Sequence, residues 1–216
     1  MCFSASASFT ASGVLAIIGI ASVREIKNKQ QLPLAMMPFT FALQQLCEGI
    51  DWLSVAHIPW AVSLATIATT THVFVILCVW PFMFPYITWL LARKRMQELV
   101  AYFCFVLASI SLLLFLSELP LPIRFNVIYC HLDIVLTPAK SVRGVLAGII
   151  YIINLCLAAI FWPIPRIIKI FGILTVPLAW LISAATFTSV WCFFAALWSI
   201  CVLYSIKQLN KSCLSG

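Results

Sequence analysis

The chain has 216 residues, of which 13 are Lys or Arg and 6 are Asp or Glu. Charged residues make up 9%, hydrophobic residues 64%, and the mean hydropathy is +1.12. A soluble domain carries roughly 25% charged residues, so this chain cannot coat a water-soluble enzyme, and the same numbers exclude disorder. The net charge of +7 has no separate basic domain behind it and reads as membrane sidedness, not as a nucleic-acid surface.

The expected fold is an all-α polytopic transmembrane bundle of seven helices forming one membrane domain, with spans near 3–23, 32–55, 60–80, 99–116, 143–162, 167–185 and 188–206. The first runs from Phe3 to Val23 and stops at Arg24, Lys27 and Lys29; no basic stretch precedes it, so it does not read as a cleaved signal peptide. The second is Leu32 to Val55. After His57-Ile58-Pro59, an apolar stretch continues from Trp60 to Leu91, too long for one straight span. Pro81 and Pro85 are expected to end or kink it, leaving Trp80, Phe82, Phe84, Tyr86 and Trp89 as an interfacial belt. Arg93-Lys94-Arg95 precedes the fourth segment, Leu99 to Leu116. A loop of about 26 residues, Ser117 to Val142, leads to the fifth, which Pro163 and Pro165 close. The sixth and seventh are expected to join in a tight turn near Thr186-Phe187-Thr188.

Basic residues set the expected orientation. Arg24, Lys27, Lys29, Arg93, Lys94, Arg95, Arg166, Lys169, Lys207 and Lys211 fall on one side, and only Arg124, Lys140 and Arg143 on the other. Ten against three places the N-terminus outside and the C-terminus in the cytoplasm, which needs an odd number of spans. The localisation that follows is a cytoplasmic (inner) membrane, with the lipid bilayer as the one certain partner. The oligomeric state is not legible.

Polar chemistry concentrates on the second segment. Gln44, Glu48 and Asp51 lie at i, i+4 and i+7 and share a helix face, flanked by Gln45 and Trp52. Glu48 lies roughly 10 Å from the outer end of its helix. A carboxyl group in hydrocarbon costs several kcal/mol unless paired, protonated or hydrated, so Glu48 is the leading ligand-binding or proton-relay candidate. His72 follows Thr69-Thr70-Thr71 near mid-membrane, and the threonines are expected to bond their own backbone. Tyr129-Cys130-His131-Leu132-Asp133 sits in the long outer loop, where His131 and Asp133 would cap the bundle. Ser189, Trp191 and Cys192 open the seventh segment, and Cys2 opens the first, on the same side. Ser4, Ser8, Ser12 and Ala16 form a small-residue stripe, and Gly144 and Gly148 form G-x-x-x-G; both read as packing devices.

Three stretches carry a resemblance together: Met1-Cys2-Phe3-Ser4-Ala5-Ser6-Ala7-Ser8-Phe9, Gln44-Gln45-Leu46-Cys47-Glu48-Gly49-Ile50-Asp51-Trp52, and Ser189-Val190-Trp191-Cys192-Phe193-Phe194-Ala195-Ala196. The chain resembles a prokaryotic family of small multi-pass membrane proteins known only as a domain of unknown function. The resemblance implies a bacterial-type cytoplasmic membrane and no particular reaction.

Three functions stay open on the sequence. One is binding or transport of a small molecule, lipid or proton through an outward-facing polar pocket around Glu48, with no cofactor. The second is a structural or assembly subunit. The third is a metal-dependent intramembrane hydrolase, with Glu48, His72 and His131 as zinc ligands; no H-x-x-x-H or H-E-x-x-H spacing supports it.

Overall fold

In a computed structural model of the chain, helix α1 (Ala5–Glu25) begins where the extended Ser4 accepts the backbone N–H of Ala7 on its hydroxyl. Asn28 caps a short 3-10 turn the same way. Helix α2 (Leu32–Val55) follows, with Pro33 in its first turn where the missing N–H has no cost. His57 takes a left-handed φ of 58° to turn the chain, and Pro59 opens α3 (Pro59–Phe74). A π-helical turn, Val75–Val79, joins α3 to α4 (Trp80–Leu90). The remaining helices are α5 (Arg95–Leu116), α6 (Val142–Ile160), α7 (Arg166–Ile182) and α8 (Phe187–Ser212). The structure describes residues 4–117, 125–128, 131–134, 141–162, 164–182 and 187–212. In both strands, and in parts of α7 and α8 including 187–193, the description is of backbone alone.

The stretch after Pro59 does not end at its prolines. It is one helical rod, Pro59–Leu90, of 32 residues. The π-turn explains this: the Trp80 N–H reaches back five residues to the Val75 carbonyl, which shifts the ladder just before Pro81, a residue with no N–H to give. Pro85 then cannot bond the Pro81 carbonyl. Asn154 of α6 supplies the missing donor, with Nδ2 2.8 Å from that oxygen. One helix turn on, the Phe84 carbonyl takes Thr88 Oγ1 at 3.0 Å and Trp162 Nε1 at 3.3 Å. Backbone groups loosened by proline inside an apolar bundle are thus satisfied from neighbouring helices.

Two further expectations change. The long loop contains an antiparallel hairpin, β1 (Phe125–Ile128) with β2 (His131–Ile134), in which Phe125 pairs with Ile134 and Ile128 with His131. Its two apolar runs, interrupted by Asn126 in one and by His131 and Asp133 in the other, around a two-residue connection carry that signal, overshadowed by flanking prolines. In α6, a Cβ on Gly148 would meet nothing within 4 Å, so Gly148 is no packing contact. The approach to α5 runs through Ala147 instead, whose carbonyl accepts Ser111 Oγ at 3.0 Å.

Helix α2 is central. It packs against α1, α3, α4 and α8, while α5 pairs with α6 and α7 leans on α8. Leu34, Met37, Trp80, Ile87, Trp162, Val202 and Ile206 are fully buried between these helices. Aromatic rings run through the middle: Phe41 against Trp80 at 4.2 Å, Phe84 against Trp162 at 4.8 Å, and Trp162 against Trp198 at 5.5 Å. Trp80 and Phe84 therefore belong to the core, not to a belt, whereas Tyr86 and Trp89 are exposed and stacked. The outside of the bundle is apolar, with Ile17 and Leu113 each 67% exposed. Among the described residues, four helices are long and apolar enough to cross a membrane: Ala5–Glu25, Pro59–Leu90, Arg95–Leu116 and Val142–Ile160.

One end of the bundle is basic. Glu25, at the end of α1, pairs with Lys207 of α8 at 3.6 Å. Beside them, Gln31 Nε2 donates to Asn210 Oδ1 at 3.0 Å, and Asn210 Nδ2 donates to the Glu25 carbonyl at 2.6 Å. Gln97 of α5 donates to the Phe161 carbonyl, and Lys169 Nζ to the Ile160 carbonyl. Because α2 runs antiparallel to α3 and α4, Arg93-Lys94-Arg95 lies at this end as well. The carboxyl groups of α2 lie toward the opposite end.

Candidate functional site

The amphipathic face read on α2 is a buried polar face. Glu48 and Asp51 are each 2% exposed, Gln44 3% and Gln45 1%. Each of the four makes a hydrogen bond within the bundle. Gln45 Nε2 donates to Glu48 Oε2 at 2.8 Å, Thr69 Oγ1 donates to Asp51 Oδ1 at 2.9 Å, and Trp80 Nε1 donates to Gln44 Oε1 at 2.8 Å. Thr69 therefore bonds across the helix pair and not back to its own backbone. Asp51 is as fully buried as Glu48, which its position near the helix end did not suggest.

These bonds fix the register between α2 and α3. Thr69 meets Asp51; one turn along α3 comes His72, and one turn back along the antiparallel α2 comes Glu48. His72 and Glu48 thus lie level on facing helices. His72 is 5% exposed, and neither of its ring nitrogens has a hydrogen-bond partner. On the other side of α2, Phe9 of α1 rests on Gly49: a Cβ there would sit 2.8 Å from the Phe9 ring. The neighbouring Ser8 is consequently at the level of Glu48, fully buried, with an unpartnered hydroxyl. Gln45 Oε1 and Trp52 Nε1 are likewise buried and unpartnered.

Helix α8 closes the same face. It runs antiparallel to α2 from the Gln31–Asn210 contact, and Phe194 lines one cavity with Met37 and Phe41. Continuing toward its start brings the backbone of Ser189, Trp191 and Cys192 to the level of Glu48. The side chains of these three residues lie outside the described ones, as does that of His131, and Cys2 lies wholly outside them. Strand β2, which carries His131, packs on α8.

The site's level therefore holds acceptors (Glu48, Asp51, Gln45 Oε1), a donor (Trp52 Nε1), the two ring nitrogens of His72 and a hydroxyl that serves as either (Ser8). Leaving a buried polar group unmade costs about 1–3 kcal/mol, and native structures keep such groups few. Here five such atoms, on Ser8, Gln45, Trp52 and His72, lie at the level of the two carboxyl groups along the bundle. Among the described residues, no three His, Cys, Asp or Glu side chains converge on a position that could hold a metal ion, so Glu48 and His72 lack a third described ligand. Ser8 escaped the sequence reading because its four-residue spacing with Ser4 and Ser12 is a packing signature; only the helix register brings it level with Glu48.

Residues 1–214 match the sequence model of DUF6629, described as a family of unknown function. The chain belongs to that family. No curated protein and no solved structure matches the chain. The DUF6629 match covers all three sequence stretches that form or flank the site.

Proposed function

We propose that this DUF6629 protein is a multi-pass protein of the cytoplasmic membrane, with its basic end inside, that binds a small hydrogen-bonding solute or a proton near Glu48 in its outer half. The observation that carries this reading is the set of unpartnered buried donors and acceptors, on Ser8, Gln45, Trp52 and His72, at the level of Glu48 and Asp51. A bundle needing these groups only for cohesion would pair them. The ten-to-three division of basic residues and their collection at one end of the bundle support the orientation. Glu48 is the titrating group of the proposal, His72 the facing relay, and Trp52 a wall.

The test is proton flux into proteoliposomes loaded with a pH-sensitive dye, under an imposed gradient. Wild-type protein should dissipate the gradient, and Glu48→Gln, which keeps the side chain's shape, should slow it at least tenfold. Equal rates for wild type, Glu48→Gln and empty vesicles would remove the proton reading. A screen of small polar solutes for stabilisation of wild type but not of Glu48→Gln would then decide the solute reading.

A structural role is favoured for two members of the face. Gln44 and Asp51 are bonded by Trp80 and Thr69 from neighbouring segments, so they act as clasps between α2 and the α3–α4 rod.

A further inference from the structure

At one corner of the basic end, the starts of α5 and α7 meet the end of α6. Gln97 of α5 is the clasp. Its Oε1 accepts the backbone N–H of Arg93 at 2.6 Å and of Lys94 at 3.1 Å, while its Nε2 donates to the Phe161 carbonyl at 2.8 Å. The adjacent carbonyl, of Ile160, takes Lys169 Nζ of α7 at 2.6 Å, which leaves that ammonium two further donors. Arg166 lies three residues before Lys169 and shares its helix face. Arg93, Lys94, Arg95, Arg166 and Lys169 therefore collect at the last turn of α6. The first four are exposed, and among the described residues none of the five is ion-paired. The ion pair of this end, Lys207 with Glu25, belongs to α1 and α8.

Two features separate this corner from a merely charged end. Arg95 and Arg166 are the first residues of α5 and α7, and Glu98 is the one acid in either first turn. A helix start is already the positive end of the helix dipole, so cations there are unfavourable until an anion answers them. The second feature is hydrocarbon surface on the same faces. Leu99 follows Arg95 by four residues and Ile170 follows Arg166 by four, so each stands one turn below its cation. Both are exposed, at 52% and 56%. On α4, Tyr86 and Trp89 stack on the outside near the same end, as aromatic side chains do at the headgroup level of a bilayer.

We propose that this corner binds the phosphate headgroup of an anionic phospholipid, whose chains stay in the bilayer against Leu99 and Ile170. The occupant follows from the juxtaposition. Unpaired guanidinium and ammonium groups on three segments call for an anion rich in acceptors, and exposed hydrocarbon one turn away calls for a molecule that carries its own. The proposal rests on the membrane placement and is independent of the polar groups level with Glu48.

The experiment reconstitutes the full chain in phosphatidylcholine vesicles carrying a trace of spin-labelled phosphatidylglycerol or, separately, of spin-labelled phosphatidylcholine. Electron paramagnetic resonance reads the motionally restricted fraction of each label. The protein should favour phosphatidylglycerol by about threefold or more at low salt, and less as sodium chloride rises. Arg93→Gln with Arg166→Gln should bring the preference near unity, while Arg93→Lys with Arg166→Lys keeps most of it. Lys27→Gln with Lys29→Gln removes the same charge elsewhere at the basic end and should leave the preference nearly unchanged. No preference in the wild type would overturn the proposal, as would a preference that survives the Arg-to-Gln pair. An equal loss in the Arg-to-Lys pair or in the Lys-to-Gln pair would overturn it too, since the preference would then not rest on the charge of this corner. Displacement by inorganic phosphate beyond that by sodium chloride of equal ionic strength would assign the corner to a soluble anion and overturn the lipid. A chain that restricts neither label would refute the membrane placement, and the proposal with it.

Discussion

Removing Asn154 isolates a single interhelical bond whose value can be worked out in advance. Asn154 Nδ2 donates to the Pro81 carbonyl at 2.8 Å, while its own Oδ1 is buried and unpartnered. The Pro81 oxygen would ordinarily take the N–H of residue 85, but residue 85 is proline. Interhelical hydrogen bonds in bilayers average about 0.6 kcal/mol and reach about 1.7, because a separated helix finds other partners. The Pro81 carbonyl finds none within its own helix, so this bond should lie at the top of that range. Asn154→Ala is therefore expected to cost about 1.5–2 kcal/mol. Pro85→Ala returns an N–H to the helix ladder, and in that background Asn154→Ala should cost much less, a coupling of about 1–2 kcal/mol. The assay is reversible unfolding of the four proteins in mixed micelles by titration with a denaturing detergent, followed by circular dichroism. A coupling below about 0.5 kcal/mol would refute the reasoning, since Asn154 would then matter only as volume.

Other outcomes follow from the same packing. Gly148→Ala meets open space and should be neutral or stabilising by up to about 1 kcal/mol in unfolding titrations. Gly49→Ala drives a methyl into the Phe9 ring and should destabilise by about 1–3 kcal/mol, with Phe9→Leu restoring part of the loss. At the basic end, Asn210→Ala loses its bonds to both Gln31 and the Glu25 carbonyl and should cost about 1–3 kcal/mol. Lys207→Ala breaks an ion pair whose side chains are about half exposed, and its cost should stay below about 1 kcal/mol in the same titration.

Composition and basic-residue spacing determine much of this protein before any coordinates. A chain with 9% charge cannot face water, and apolar runs bounded by Arg, Lys and Pro become helices because hydrocarbon leaves the backbone no other donors and acceptors. The face Gln44, Glu48 and Asp51 is equally legible, since helical spacing alone puts the three on one side. Their partners are not legible. Thr69, Trp80 and Asn154 bond to other segments of the chain, and nothing in their local sequence says which segment that will be. Trp80 looked interfacial because aromatic residues near proline fit a membrane surface; the π-turn keeps the rod helical and carries Trp80 inward to Gln44. Pairing depends on register, and register is set by contacts such as Phe9 on Gly49 and Thr69 on Asp51, which exist only once the helices meet. Sequence thus placed the carboxyl groups on one face of an apolar helix, and tertiary packing decided which partners they meet and which neighbouring polar groups are left open.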